Sequence, residues 1–296
     1  MTPSKLAQVK SRPPVAPPTS NAWLDQMAAD AGHVHLRRLV ELKKELEAEA
    51  LPPEFSAIHA DLSQLAEALP GIDFGLLHER GWWARTSGKT QSAGARFAEQ
   101  FRQVEQITDG LAEPLKRLNS KQQAQAQAME SIRIEIKGEC KAIDQIIDQG
   151  ARWLQDMRDQ LKLRVAAATD AKSEEAIKDD TARCEILVDR LKALRATLTA
   201  AQQSRQQLKA TAAKRDAVMQ FLLEAVSTDL QTWQNRLSTL AEAAPREGLK
   251  AEQVDGAMET HREFQLCVKR AVADCTVLSH QEKTLMESLA ALDAQA

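Results

Sequence analysis

Between Gly150 and Pro245 the chain runs about 94 residues without a glycine or a proline, in a sequence holding 11 Gly and 10 Pro. The interval is filled with Ala, Leu, Gln, Lys, Arg and Glu, which lose little side-chain freedom in a helix. It predicts the end of one long helix, a turn, and a second long helix. A helix of about 70 residues spans roughly 105 Å at 1.5 Å per residue, so the expected molecule is a rod.

The flanking sequence extends this pattern. Phe97, Phe101, Val104, Leu111, Leu115 and Leu118 recur at spacings of three and four, and the rhythm resumes at Met129, Ile132, Ile136, Ile143, Ile147, Leu154, Met157, Leu161 and Val165. A period near 3.5 is a coiled-coil seam. Pro114 lies inside it, where it could kink a helix.

The turn is expected at Thr169–Ser173, with Asp170 or Ser173 as the next N-cap. The return seam reads Leu187, Leu191, Leu194, Leu198, Ala201, Leu208, Ala212, Met219, Leu222, Val226, Leu230, Trp233, Leu237 and Leu240. Arg205 and Arg215 occupy seam positions in its middle, so either acidic partners meet them or the packing opens there. Ala243–Gly248 forms a second turn. A last helix is expected from about Leu249 to Ala294, with seam residues Ala257, His261, Phe264, Val268, Ala271, Cys275, Leu278, Glu282, Leu285, Leu289 and Leu292.

Upstream, residues 1–20 carry five prolines and predict a disordered tail. Residues 21–80 predict shorter helices. Asn21 caps one over about Ala22–Ala50, with Trp23, Met27, Val34, Leu39, Leu42 and Leu46 at helical spacing. A second covers Glu54–Leu69, and a short third falls near Asp73–Arg80. Gly81 to Gly94 reads as a connector that leads into residues 81–296, the long bundle. The expected fold is therefore all-α: an elongated antiparallel bundle of three long, coiled-coil-like helices with two shorter N-terminal ones. Aromatics at 4% and the absence of Tyr fit such a bundle better than a compact core.

The charge pattern narrows the partners. Thirty-nine basic residues face 42 acidic ones, interleaved, with no basic face for nucleic acid. No apolar run approaches the ~18 residues needed to span a bilayer, and the N-terminus carries no hydrophobic signal region. Cys140, Cys184, Cys267 and Cys275 are scattered without a CxxC, as in a cytoplasmic protein with reduced thiols.

Candidate chemistry is sparse. Gly88-Lys89-Thr90 ends like a phosphate loop, but Trp83 stands where that motif needs its first glycine, and no strand precedes it. His33 and His35 point to different helix faces, and His59, His78, His261 and His280 lie apart, so no metal set forms. Cys267 and Cys275 share a face; cysteine at a seam is ordinarily a small buried apolar residue rather than a redox centre. Trp82 and Trp83 wedge against the bundle or meet a partner. The residues predict no enzyme, no cofactor and no metal.

Two stretches carry a family resemblance. Gly81-Trp82-Trp83-Ala84-Arg85-Thr86-Ser87-Gly88-Lys89 leads into the Phe97–Leu111 pattern. Val188–Arg195 precedes the glutamine-rich Gln202–Leu208, then Lys214-Arg215-Asp216, then Asp229–Trp233. In this order the chain resembles the TelA-like family of toxic-anion (tellurite) resistance proteins over about residues 81–292. The resemblance implies a non-enzymatic scaffold or adaptor in stress resistance. Such a protein would act through an unidentified protein partner or self-association, with Trp82, Trp83, Arg205, Arg215 and Trp233 as interaction candidates. The alternative expectation is a helical membrane-binding or pore-forming protein, which requires an apolar hairpin tip where this chain places charge.

Overall fold

A computed structural model describes residues 31–49, 53–77, 89–245 and 249–293. The fold is all-α, with no strand among those residues. The helices are α1 (His33–Ala48), α2 (Pro53–Ala68), α3 (Lys89–Asp109), α4 (Ala112–Ala167), α5 (Ala171–Glu224), α6 (Leu230–Ala243) and α7 (Ala251–Asp293). A π-helical segment, Ala225–Asp229, joins α5 to α6, and 3-10 turns lie at Leu69–Gly71 and Phe74–Leu76. No helix among the described residues is long and apolar enough to cross a membrane.

The chain divides into two compact units. In the first, residues 136–167 of α4 and 171–202 of α5 form an antiparallel hairpin. Its seam is Ile143, Ile147, Leu154, Met157 and Leu161 against Cys184, Leu187, Leu191, Leu194 and Leu198, all buried. Gly150 lies against Leu191, close enough that a Cβ would sit 2.8 Å from its side chain. The start of α1 is tied to this hairpin. His35 Nδ1 lies 2.6 Å from Glu139, and Arg190 donates to the Ala31 carbonyl at 3.2 Å. The turn is residues 168–170, with the Asp170 carboxylate accepting from the Ser173 amide at 3.1 Å. That bond satisfies one of the orphan N–H groups of the first turn.

In the second unit, residues 42–135 and 203–290, the core gathers Leu62 and Leu65 from α2, Leu69 from the 3-10 turn after it, and Phe97, Phe101 and Val104 from α3. Trp233, Leu237 and Leu240 from α6 and Phe264, Val268 and Leu278 from α7 complete it. The run expected as continuous from Thr90 is broken at Gly110-Leu111, and Pro114 falls in the first turn of α4. There its missing N–H costs nothing, because first-turn amides have no intrahelical partner. Gly94 marks the closest approach: a Cβ there would lie 2.0 Å from the Ala244 carbonyl oxygen. Only glycine lets α3 pass that backbone.

Two expected seam positions face solvent. Val34 is 75% exposed and Val165 is 60% exposed. Periodicity assigns a face to a helix, but Val165 lies where the hairpin seam has ended, and packing does not cover Val34 at the helix start.

Candidate functional site

The polar middle of α5 becomes a site because its apolar positions thin out. Gln202 to Asp216 alternates small and polar residues, with Leu208 the only large aliphatic in it. Arg215 lies 3% exposed among four helical segments. Its Nε donates to the Glu282 carboxylate of α7. Nη1 and Nη2 donate to the Glu49 carbonyl at 3.2 and 3.3 Å, and Nη1 also lies 3.2 Å from the Met129 sulfur. The guanidinium is thus fully desolvated and its fork nearly saturated, as a buried charge must be. Glu282 is 7% exposed, and its Oε2 has no hydrogen-bond partner.

Beside this pair, α4 and α5 separate into a cleft of about 250 Å³. Buried Met129 and Leu208 lie at its base, and Ala126, Ala212, Glu130, Arg133, Lys209 and Asp216 line it nearer the surface. Gln122 donates across it to Asp216 at 3.2 Å, and Glu130 pairs with Arg133. Arg205, half-buried one heptad or so along α5, has its Nε buried without a partner. Of the two seam arginines, then, Arg215 meets an acid, and Arg205 has a buried Nε that no described residue meets.

Trp233, expected at a contact surface, is 0% exposed. Its ring stacks on Phe264 at 5.0 Å and tilts against Phe101 at 5.4 Å. Its indole N–H donates to His261 Nδ1 at 3.0 Å. Because an indole only donates, the ring proton of His261 resides on Nε2. Burial drives the pKa of this imidazole down to about 4, against an opposing hydrogen bond to the Leu69 backbone. His261 is a neutral acceptor within the core, with Phe74 5.2 Å from its ring. Trp82 and Trp83 lie outside the described residues.

The thiols are buried or tied. Cys275 is 0% exposed, and Cys267 donates to the Asp229 carboxylate at 3.2 Å beside the π-helical segment. Burial pushes both up to about 12, with Asp229 adding to the rise at Cys267. At neutral pH neither supplies the thiolate that redox chemistry needs. Among the described residues no group of three His, Cys, Asp or Glu side chains is placed to hold a metal ion.

The hairpin of the first unit ends without a core. From Lys162 to Asp179 no residue is buried, although both arms remain helical. Asp180 closes the packed part. It is 3% exposed, 2.6 Å from Arg164 and 3.2 Å from Arg183. Leu163 at 73% exposure and Val165 stand among charged neighbours beyond it. The sequence shows a charged tip here with the seam ending at Val165; the structure ends the buried seam of α4 one turn earlier, at Leu161. Sequence reasoning missed Glu49, whose role rests on a backbone carbonyl that no side-chain pattern reveals. No protein-family model, curated protein or solved structure matches this chain.

Proposed function

We propose that this chain is a non-enzymatic helical adaptor of the toxic-anion (tellurite) resistance kind that it resembles, acting in stress resistance through protein–protein contacts. The observation that supports this is the hairpin end from Lys162 to Asp179, whose two helical arms meet at a turn yet bury no residue fully. Ordering a residue costs about 1–2 kcal/mol in backbone entropy, and this end, with only Ala168 and Ile177 partly buried, recovers little of that through internal burial. A helical surface of this kind serves contact with another molecule, and Leu163 and Val165 give a partner its apolar purchase.

The test is complementation. A strain lacking the chain should change its sensitivity to tellurite or envelope-active agents. The wild-type chain should restore it, and a Leu163→Ser/Val165→Ser chain should not. Unchanged sensitivity across such a panel sinks the reading. Full rescue by the double variant removes the hairpin end from it.

A further inference from the structure

We infer that the exposed face of α4 and α5 around this cleft is a self-complementary surface, and that a second copy of this chain, related by a two-fold axis, covers it. The inference deepens the adaptor reading by naming one partner, and it rests on a different part of the molecule from the hairpin end.

The argument begins with the exposed face of α5. Lys209 and Asp216 are one heptad apart, on the same helical face and about 10.5 Å apart along the axis. Both are exposed at the edges of the cleft. Between them stand Ala212 and Ala213, half-buried and exposed respectively. A two-fold axis passing between those two alanines runs α5 antiparallel to its copy. It then sets Lys209 opposite Asp216 of the copy and Asp216 opposite Lys209, giving two identical ion pairs from one helix face. An isologous contact has this property: residue i meets j and j meets i. The alanines at the crossing let the backbones approach, as small residues do at close helix crossings.

The neighbouring helix agrees with the same axis. The Gln122–Asp216 bond sets the register of α4 against α5, so the axis passes near the stretch Gln122–Gln127. That stretch carries no charge and alternates Gln with Ala. Stacking α4 on its copy there opposes no like charges, and glutamine amides both donate and accept. Apolar Met129 and Leu208, already at the floor of the cleft, lie beneath the contact.

Analytical ultracentrifugation of the full chain across a wide concentration range tests this. The wild-type chain should show a concentration-dependent dimer. Lys209→Asp alone and Asp216→Lys alone each replace two attractive pairs with two repulsive ones and should weaken self-association by about tenfold or more. Lys209→Asp with Asp216→Lys restores both pairs in reversed sense and should restore the dimer. Circular dichroism of each variant checks that helicity is kept, and the double reversal guards against a folding artefact. A wild-type chain that stays monomeric overturns the inference. So does a dimer that both single reversals leave intact, or a double reversal that stays monomeric. Complementation by a monomeric Lys209→Asp chain would leave the adaptor reading standing while showing that the dimer is not what it requires.

Discussion

Removing Glu282 of α7 should be costly, because it is the buried partner of Arg215 on α5. In Glu282→Ala the Arg215 guanidinium keeps the Glu49 carbonyl and the Met129 sulfur but loses the one carboxylate that it meets among the described residues. Both side chains are nearly shut off from water, at 4% and 9% exposure. Breaking a buried pair from one side typically costs about 3–5 kcal/mol, because the remaining charge is desolvated and uncompensated. Glu282→Gln retains an acceptor of similar shape and should cost roughly half as much, since only the charge-assisted part of the bond is lost. Replacing both, Arg215→Met with Glu282→Leu, removes the desolvation along with the attraction and should return to within about 1 kcal/mol of wild type. Urea unfolding followed at 222 nm gives the comparison, provided the slope is unchanged between variants. A loss below about 1 kcal/mol in Glu282→Ala would refute the reasoning, because it would mean that water reaches Arg215. A double variant as unstable as the sum of the singles would refute it in another way, by showing that Arg215 and Glu282 are not energetically coupled.

Gly94→Ala should lower the melting temperature clearly, at a cost of about 2–3 kcal/mol, because its Cβ would meet the Ala244 carbonyl at 2.0 Å. Gly138→Ala, also helical but with open space around its Cβ, should instead stabilise by about 0.5–1 kcal/mol; equal effects at the two glycines would contradict both arguments. His261 has a folded pKa of about 4 against an ordinary 6.5, so between those values the unfolded chain binds the extra proton. Stability should therefore fall as pH drops from about 6.5 to 4, by on the order of 2–3 kcal/mol. Trp233 fluorescence should follow the transition, and His261→Gln should flatten the slope. Cys267 and Cys275, pushed up to about 12, should label slowly with a thiol-reactive disulfide at pH 8 in the native protein and rapidly in denaturant. Fast native labelling of either would show an opening that the structure does not contain.

The helical class and the identity of the buried residues were largely legible in the sequence. Spacing of three and four places Leu187, Leu194 and Leu198 on one face of α5 and Phe264, Val268 and Cys275 on one face of α7, and all are buried. That legibility has a local cause, because the period of an α-helix is fixed by its own backbone and any apolar stripe must find cover. What each stripe meets is a different matter, set by the axial register and rotation of one helix against another. Only the tertiary structure decided that Arg215 meets Glu282 and the Glu49 carbonyl rather than solvent. It also decided that Trp233 points inward to His261 instead of outward to a partner, and that Gly94 must be small because a distant turn passes beside it. The ends of stripes escaped the pattern for the same reason. Val34 and Val165 have the right spacing but stay 75% and 60% exposed, and a residue that packing does not cover stays in water whatever its period. The break-free stretch from Ala151 to Ala244 thus dictated long helices by itself, while the separation of α4 from α5 around Ala126 and Ala212 emerged only once those helices were paired.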